Sequence, residues 1–186
     1  PVLRGRSIDV PFTPEQTAAL NRLAVQSQTT LFTVLLACYN ILLSRYTGQD
    51  DIVVGSPISG RTHREFESII GMFVNTLALR NRPLQHLTAS EFIADVSEHV
   101  FSAFNNQDYP FEMLVEKLVP QRQLNRNPLM STFFVLQNFD SAIETADNEN
   151  NPLKIIPFYA DDQTAKFDLT MTAYEKDDRL LFKIEY

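Results

Sequence analysis

Apolar positions along the chain fall into two periods, and the switches between them mark the elements. Leu20, Leu23 and Ala24 keep a helical spacing after the run Thr13-Pro14-Glu15-Gln16. That run is a helix start: a threonine N-cap, proline at the first helical position, and glutamine three residues past the cap. The polar stretch 26–30 interrupts the pattern. A second, very apolar helix is predicted over 31–46, with Gly48 as its terminator. Its nearly apolar part, 31–43, contains Thr33 and Asn40 and is too short to cross ~30 Å of hydrocarbon, so it reads as a central buried helix.

Short extended segments follow. Asp51-Ile52-Val53-Val54-Gly55 predicts a buried strand, and Ser56-Pro57-Ile58-Ser59-Gly60-Arg61 a small, polar loop. Residues 72–79 alternate, with Phe73, Leu77 and Leu79 on one face and Asn75 as the odd polar member. Thr88-Ala89-Ser90-Glu91 is a capping box, opening a helix in which Phe92, Val96, Val100 and Phe104 recur every fourth position. Pro110 starts a short helix with Phe111, Leu114, Val115 and Leu118 inward. A strand over 130–137 leads into the acidic, apolar-poor stretch 138–152, the candidate for a long mobile loop. The chain closes on a hairpin. Phe167, Leu169, Met171 and Ala173 form one arm, Asp177-Asp178 the turn, and Leu180, Phe182, Ile184 and Tyr186 the other. Helices and strands alternate irregularly, which gives an α/β class. Because the sequence stops inside an apparent strand, it is expected to be a truncated piece.

Composition narrows the function more than it reveals it. At 186 residues the chain is one domain, or half of a larger one, on a prior of ~150 residues per domain. A net charge of −7 and a pI near 4.9 leave no general electrostatic footprint for nucleic acid or an anionic membrane. The single cysteine, Cys38, excludes an intrachain disulfide, a CxxC redox pair and a cysteine-based zinc knuckle. Inside its apolar run, Cys38 is expected to be a small core residue. No basic-then-apolar leader is visible at the start.

Catalytic patterns are scarce. His63, His86 and His99 form no HxH, HExxH or HxxxD spacing, and no GxGxxG, Walker or GxSxG motif is present. His99, one turn after Asp95, is expected in a solvated ion pair, and His86 on a surface loop. No metal site and no catalytic residue is assigned. Composition and spacing alone do not reveal an enzyme.

Four ordered segments change that picture. They are Tyr46-Thr47-Gly48-Gln49-Asp50-Asp51-Ile52-Val53-Val54-Gly55-Ser56-Pro57, Ile70-Gly71-Met72-Phe73-Val74-Asn75-Thr76-Leu77-Ala78-Leu79-Arg80, Asn106-Gln107-Asp108-Tyr109-Pro110-Phe111-Glu112, and Arg126-Asn127-Pro128-Leu129-Met130. In this order and spacing they resemble the later core motifs of the condensation domain of non-ribosomal peptide synthetases. Lys166-Phe167-Asp168-Leu169-Thr170 and Ile184-Glu185-Tyr186 are similar to that family's closing strands. The resemblance covers essentially the whole chain.

It implies a chloramphenicol acetyltransferase-like αβ sandwich lobe, with a mixed sheet and helices packed against it. The family's catalytic HHxxxDG motif lies in the amino-terminal lobe, and no two histidines are adjacent here. Residues 1–186 therefore read as the carboxy-terminal lobe alone, cut before the last helix. The implied reaction joins a carrier-bound donor acyl thioester to a carrier-bound acceptor amino acid. No cofactor would bind directly, since the 4'-phosphopantetheine arms arrive on the carriers as part of the substrates. The implied partners are the amino-terminal lobe, the upstream and downstream carrier proteins and an adjacent adenylation domain, in a cytoplasmic setting.

Carried residue by residue, Gly55 and Ser56 match a tunnel-wall position near the acceptor arm. There glycine would admit a thin pantetheine chain, and Ser56 would hydrogen-bond its amides. Alternatively these residues merely end a strand. Arg61 belongs to the implied floor loop, 59–71. Asn75 faces the tunnel or is a buried, hydrogen-bonded strand residue. Gln107 and Asp108 match a site that often reads His-Gln-Asp. Asn106 replaces its histidine, and Asp108 could equally stabilise the amino end of the Pro110 helix. Arg126-Asn127-Pro128 pairs with a carboxylate or stabilises a turn, and the latch would begin at 138–152. The rival readings are a non-catalytic carrier-docking module and an epimerisation or heterocyclisation sibling. Phe73-Val74-Asn75-Thr76 and Gln107-Asp108-Tyr109-Pro110-Phe111 favour peptide-forming members, with a lean towards a D-configured donor.

Overall fold

Helix starts stand where the capping residues place them. In a computed structural model, which describes residues 4–119, 129–138, 164–176 and 178–186, helix α1 runs over Pro14–Gln26. Thr13 caps it, with the reciprocal bonds of a capping box to Gln16. Helix α2, Leu31–Thr47, is capped by Thr30 and ends at Gly48, whose φ of 71° an L-side chain would resist. Helix α3, Ala89–Asn105, opens on the Thr88–Glu91 capping box. Helix α4 covers Phe111–Leu118.

The strands are β1 (Ser7–Pro11), β2 (Ile52–Ile58), β3 (Asn75–Asn81), β4 (Thr132–Asn138), β5 (Leu169–Lys176) and β6 (Arg179–Glu185). They form one mixed sheet in the order β1-β6-β5-β4-β2-β3. β2 pairs parallel to β4 and β4 parallel to β5, while the other neighbours run antiparallel. The β5–β6 hairpin turns at Asp178, in the left-handed region at φ 59°.

Alternation divides the sheet into two faces. Ile52, Val54 and Ile58 of β2, Leu77 and Leu79 of β3, Phe134 of β4, Ala173 of β5 and Phe182 of β6 share one core. Val34, Leu35, Leu36 and Tyr39 of α2 complete it, with Phe92, Ile93, Val96 and Val100 of α3. Tyr39 spans its layers: the ring lies 5.9 Å from Phe134, and its hydroxyl hydrogen-bonds the Thr132 hydroxyl. Burial pushes that phenol up to about 12, so it stays protonated and neutral. Phe133 points to the opposite face and stacks on Phe167, with ring centroids 4.4 Å apart.

The structure revises several expectations. β1 was not anticipated; it pairs with β6 as an exposed edge. β2 continues through Ser56 and Pro57 to Ile58 instead of stopping at Gly55. Proline is tolerated there because β4 pairs only with Val54 and Gly55, leaving the Pro57 end of β2 an edge on that side. β3 begins at Asn75 and not at Met72, because residues 72–74 belong to a loop closed by its own contacts. Phe104 and Leu118 are exposed, and Cys38 lies on the outer side of α2 instead of in the core. His99 Nδ1–H donates to Asn81 Oδ1 at 3.1 Å, and His99 forms no ion pair with Asp95 among the described residues. The expected loop from 139 onward and Arg126-Asn127-Pro128 lie outside the described residues.

Candidate functional site

Ser56, Arg61, Asn75, Gln107 and Asp108 gather at one end of the β2–β3 ladder, while Gly55 lies midway along it, opposite Ala78. Antiparallel pairing sets Ser56 opposite Leu77 and Ile58 opposite Asn75, so the last residues of β2 lie beside the first of β3. The loop carrying Arg61 joins the two strands at this end. α4 packs on β3, which brings Gln107 and Asp108 to the same place.

Gly55 and Ser56 face opposite ways. A Cβ on Gly55 would stand 2.5 Å from both the Met130 sulphur and the Phe133 ring. The close approach that glycine permits is therefore met by β4 and its lead-in, within the protein itself. Ser56 shares the helix-side face of β2 with Val54 and Ile58 and is only 3% exposed. Its side chain is part of the wall between sheet and helices.

Arg61 organises the connecting loop. Its Nη1 donates to the Phe66 carbonyl, and its guanidinium lies 4.4 Å from the centre of the Phe73 ring. Phe66 stacks on Phe73 at 5.7 Å, and His63 meets Phe66 edge-on at 5.3 Å. Gly60 has φ 61°, and the Phe73 carbonyl oxygen occupies the direction in which a Cβ would project. One cation and two phenyl rings thus fold the loop back on itself. The arrangement turns Ile70 and Met72 fully outward.

Asn75 uses its whole carboxamide inside the chain. Nδ2 donates to the Gln107 carbonyl at 2.8 Å and to the Tyr109 carbonyl at 3.1 Å. Oδ1 accepts from the Thr76 amide at 2.8 Å and from the Phe111 amide at 3.3 Å. An amide group offers two donors and two acceptor lone pairs, so it is saturated. Of the alternative expected for this residue, a buried, hydrogen-bonded strand asparagine, the hydrogen bonding is present but the residue is only half-buried. Asp108 does not cap α4: the helix has no cap bond from its own N-cap, Pro110, and the bond to its first amide comes from Asn75. Asp108 is exposed between the two tethered carbonyls, and Gln107 is half-buried.

Beyond this end, Asp51 receives a two-pronged grip from Arg80, at 2.8 and 2.6 Å, with Arg82 at 3.3 Å. The Arg80 hydrogen bonds hold its carboxyl at about 2. This is a surface clasp joining the α2–β2 turn to β3. Two polar atoms in the core, Asn40 Oδ1 and Asn81 Nδ2, have no partner among the described residues, although each residue makes one bond through its other amide atom. Among the described residues no group of three His, Cys, Asp or Glu is placed to hold a metal ion. No single helix there is long and apolar enough to cross a membrane. Among the described residues the arrangement offers shaped walls and a braced turn.

Reading the sequence missed the loop cluster of Arg61, Phe66 and Phe73. Its signal was available in part, as two phenylalanines and an arginine bracketing a glycine that must take positive φ.

Comparison with known proteins places this geometry. The family described as condensation domain matches residues 3–186. Gramicidin S synthase 2 of Brevibacillus brevis is 48% identical over 168 residues, covering 90% of this chain and 4% of the synthase. Tyrocidine synthase 3 of Brevibacillus parabrevis is 50% identical over 167 residues, covering 90% of this chain and 2% of its own length. The crystal structure of holo-AB3403, a four-domain nonribosomal peptide synthetase bound to AMP and glycine, superposes with a TM-score of 0.85 at 21% identity. That match covers 98% of this chain and 15% of the solved one. The chain thus spans a few per cent of these synthases, and its mixed α/β fold is the one expected from the motifs.

Proposed function

Since the chain belongs to the condensation-domain family, we propose that it is the carboxy-terminal lobe of a domain that forms peptide bonds in a nonribosomal peptide synthetase. The observation that carries the reading is the match over 3–186 together with 48–50% identity to two antibiotic synthases. In the reaction the acceptor's α-amine nitrogen bonds to the donor's thioester carbonyl carbon. The carbon–sulphur bond breaks, and the pantetheine thiol leaves with the proton the amine gives up. The arms belong to carrier-protein substrates, so this lobe needs no cofactor of its own.

Two tethered reactants gain most from being held at the right distance and angle, and orientation of this kind is worth several powers of ten in rate. A lobe of walls, a braced loop and a fixed turn fits that task. Of its candidate residues, Arg61, Gln107 and Asp108 stand at the Asn75 end of the β2–β3 ladder with Asp108 exposed, while Gly55 is closed off by Met130 and Phe133, Ser56 is buried, and the Asn75 carboxamide is spent on the 107–111 turn. The general base is assigned to a histidine pair outside residues 1–186, because no adjacent histidines occur within them.

The test uses the parent synthetase. Its domain is incubated with a donor carrier and an acceptor carrier, each loaded, and the dipeptidyl carrier is read by intact-protein mass spectrometry. Product from the parent domain and none from residues 1–186 alone is expected. Turnover by this chain alone would refute the half-site reading, and a parent that binds carriers but joins no loaded pair would make the domain a docking module.

A further inference from the structure

We propose that Asn75 is a positioning residue, a clamp that fixes the 107–111 turn and presents Asp108 at the β2–β3 end. The proposal rests on the reading of the parent domain as a condensing enzyme and deepens it by giving one residue a task that involves no contact with substrate.

The two halves of the Asn75 carboxamide do different things. Its oxygen receives the Phe111 amide, supplying the first turn of α4 with the partner that Pro110 does not provide. Its nitrogen holds the carbonyls of Gln107 and Tyr109, which flank Asp108. Residue 108 is thereby pinned on both sides while remaining exposed. Turns are ordinarily the mobile part of a fold, and a turn that contributes to a site must be held by something rigid. Here that support is β3, paired along its length with β2, the strand carrying Gly55 and Ser56. The clamp therefore ties the turn to the same ladder as the other candidate residues, 32 and 34 positions away in sequence.

This division makes the idea separable from plain stability. In Asn75→Asp the carboxylate still accepts from Thr76 and Phe111, and its charge suits the amino end of α4. It has no proton to offer Gln107 or Tyr109, and two carbonyl oxygens face a negative charge. The helix-facing half survives while the turn-facing half is lost. In Asn75→Ala both halves go.

The experiment compares the intact parent module as wild type, N75D, N75A, D108A and N75D/D108A, with loaded carriers. N75D should stay folded, with a melting temperature only slightly below wild type from the two lost hydrogen bonds, and keep its KM for the acceptor carrier, while kcat falls by roughly 10- to 100-fold, the scale of a small misplacement. Because a protonated carboxyl regains one donor, the N75D-to-wild-type ratio of kcat should rise as pH falls, whatever the pH dependence of the amine itself. Adding N75D to D108A should cost nothing further, since the turn's contribution is already gone. Wild-type turnover by N75D overturns the clamp. So does a loss that does not change with pH, or losses in the double variant that multiply. If the wild-type module joins no loaded pair, the condensing reading fails and the reaction role of Asn75 fails with it. An active wild type with a fully active N75D sinks the clamp alone.

Discussion

A methyl group is enough to probe the wall at Gly55. Added there, it would lie 2.5 Å from the Met130 sulphur and from two carbons' breadth of the Phe133 ring edge. The ring is stacked on Phe167 and has little freedom to retreat, while the thioether is flexible. Gly55→Ala should therefore destabilise the fold by about 1–3 kcal/mol, the usual range for overpacking. Urea unfolding checks this, and adding Met130→Ala should recover part of the loss. Asp51 gives a second residue-scale expectation. Its folded pKa, about 2, lies below the ordinary carboxylate value, so the clasp contributes fully above that ordinary value and is lost as pH falls towards 2. Because the pair is exposed, the consequence is a shifted titration with little effect on stability. Proton-detected NMR titration should place the Asp51 midpoint near 2 and return it to the ordinary carboxylate range in Arg80→Ala.

At the scale of elements, caps and buried stripes were legible and edges were not. The Thr13 and Thr88 capping boxes and the Gly48 terminator involve residues within a few positions of one another, so their geometry is written locally. Removing one should cost a typical cap: Thr88→Ala is expected to lower stability by about 1 kcal/mol in a thermal or urea melt. β1 escaped notice because Ser7-Ile8-Asp9-Val10-Pro11 is short, ends in proline and gains its order from β6, at least 170 residues on. The true start of β3 was obscured because Met72, Phe73 and Val74 extend the alternation although Arg61 draws Phe73 into the loop. The site was half legible in the same sense. Asn75 stood out as the one polar member of an apolar strand pattern, but its partners are backbone carbonyls, which leave no mark on a sequence. Asp108 sits where it could stabilise the amino end of α4, but the first amide of that helix bonds to Asn75 of β3 instead.

For the whole molecule the deciding feature is what the braced loop turns outward. Ile70 and Met72 are 101% and 91% exposed, and Ile69 and Val74 beside them are also exposed. Exposed apolar side chains grouped in one short loop are what a contact with another surface would use. The loop is not loose, since Arg61, Phe66 and Phe73 fix it from behind, so the apolar side chains are presented in a set arrangement that saves ordering entropy on contact. Within the proposed parent domain, the amino-terminal lobe is what would cover them. Charged substitutions at Ile70 and Met72 should then leave the melting temperature of residues 1–186 unchanged, because neither side chain is packed in this chain. The same I70K/M72E pair in the parent domain should destabilise the junction between the lobes, visible as a lower melting temperature and faster amide exchange in 69–74. Arg61→Ala, which frees the loop without altering its apolar residues, should speed exchange there in the isolated chain as well. Unchanged exchange in the parent I70K/M72E variant would mean that this surface stays open to solvent in the full domain and serves some contact other than the one between its lobes.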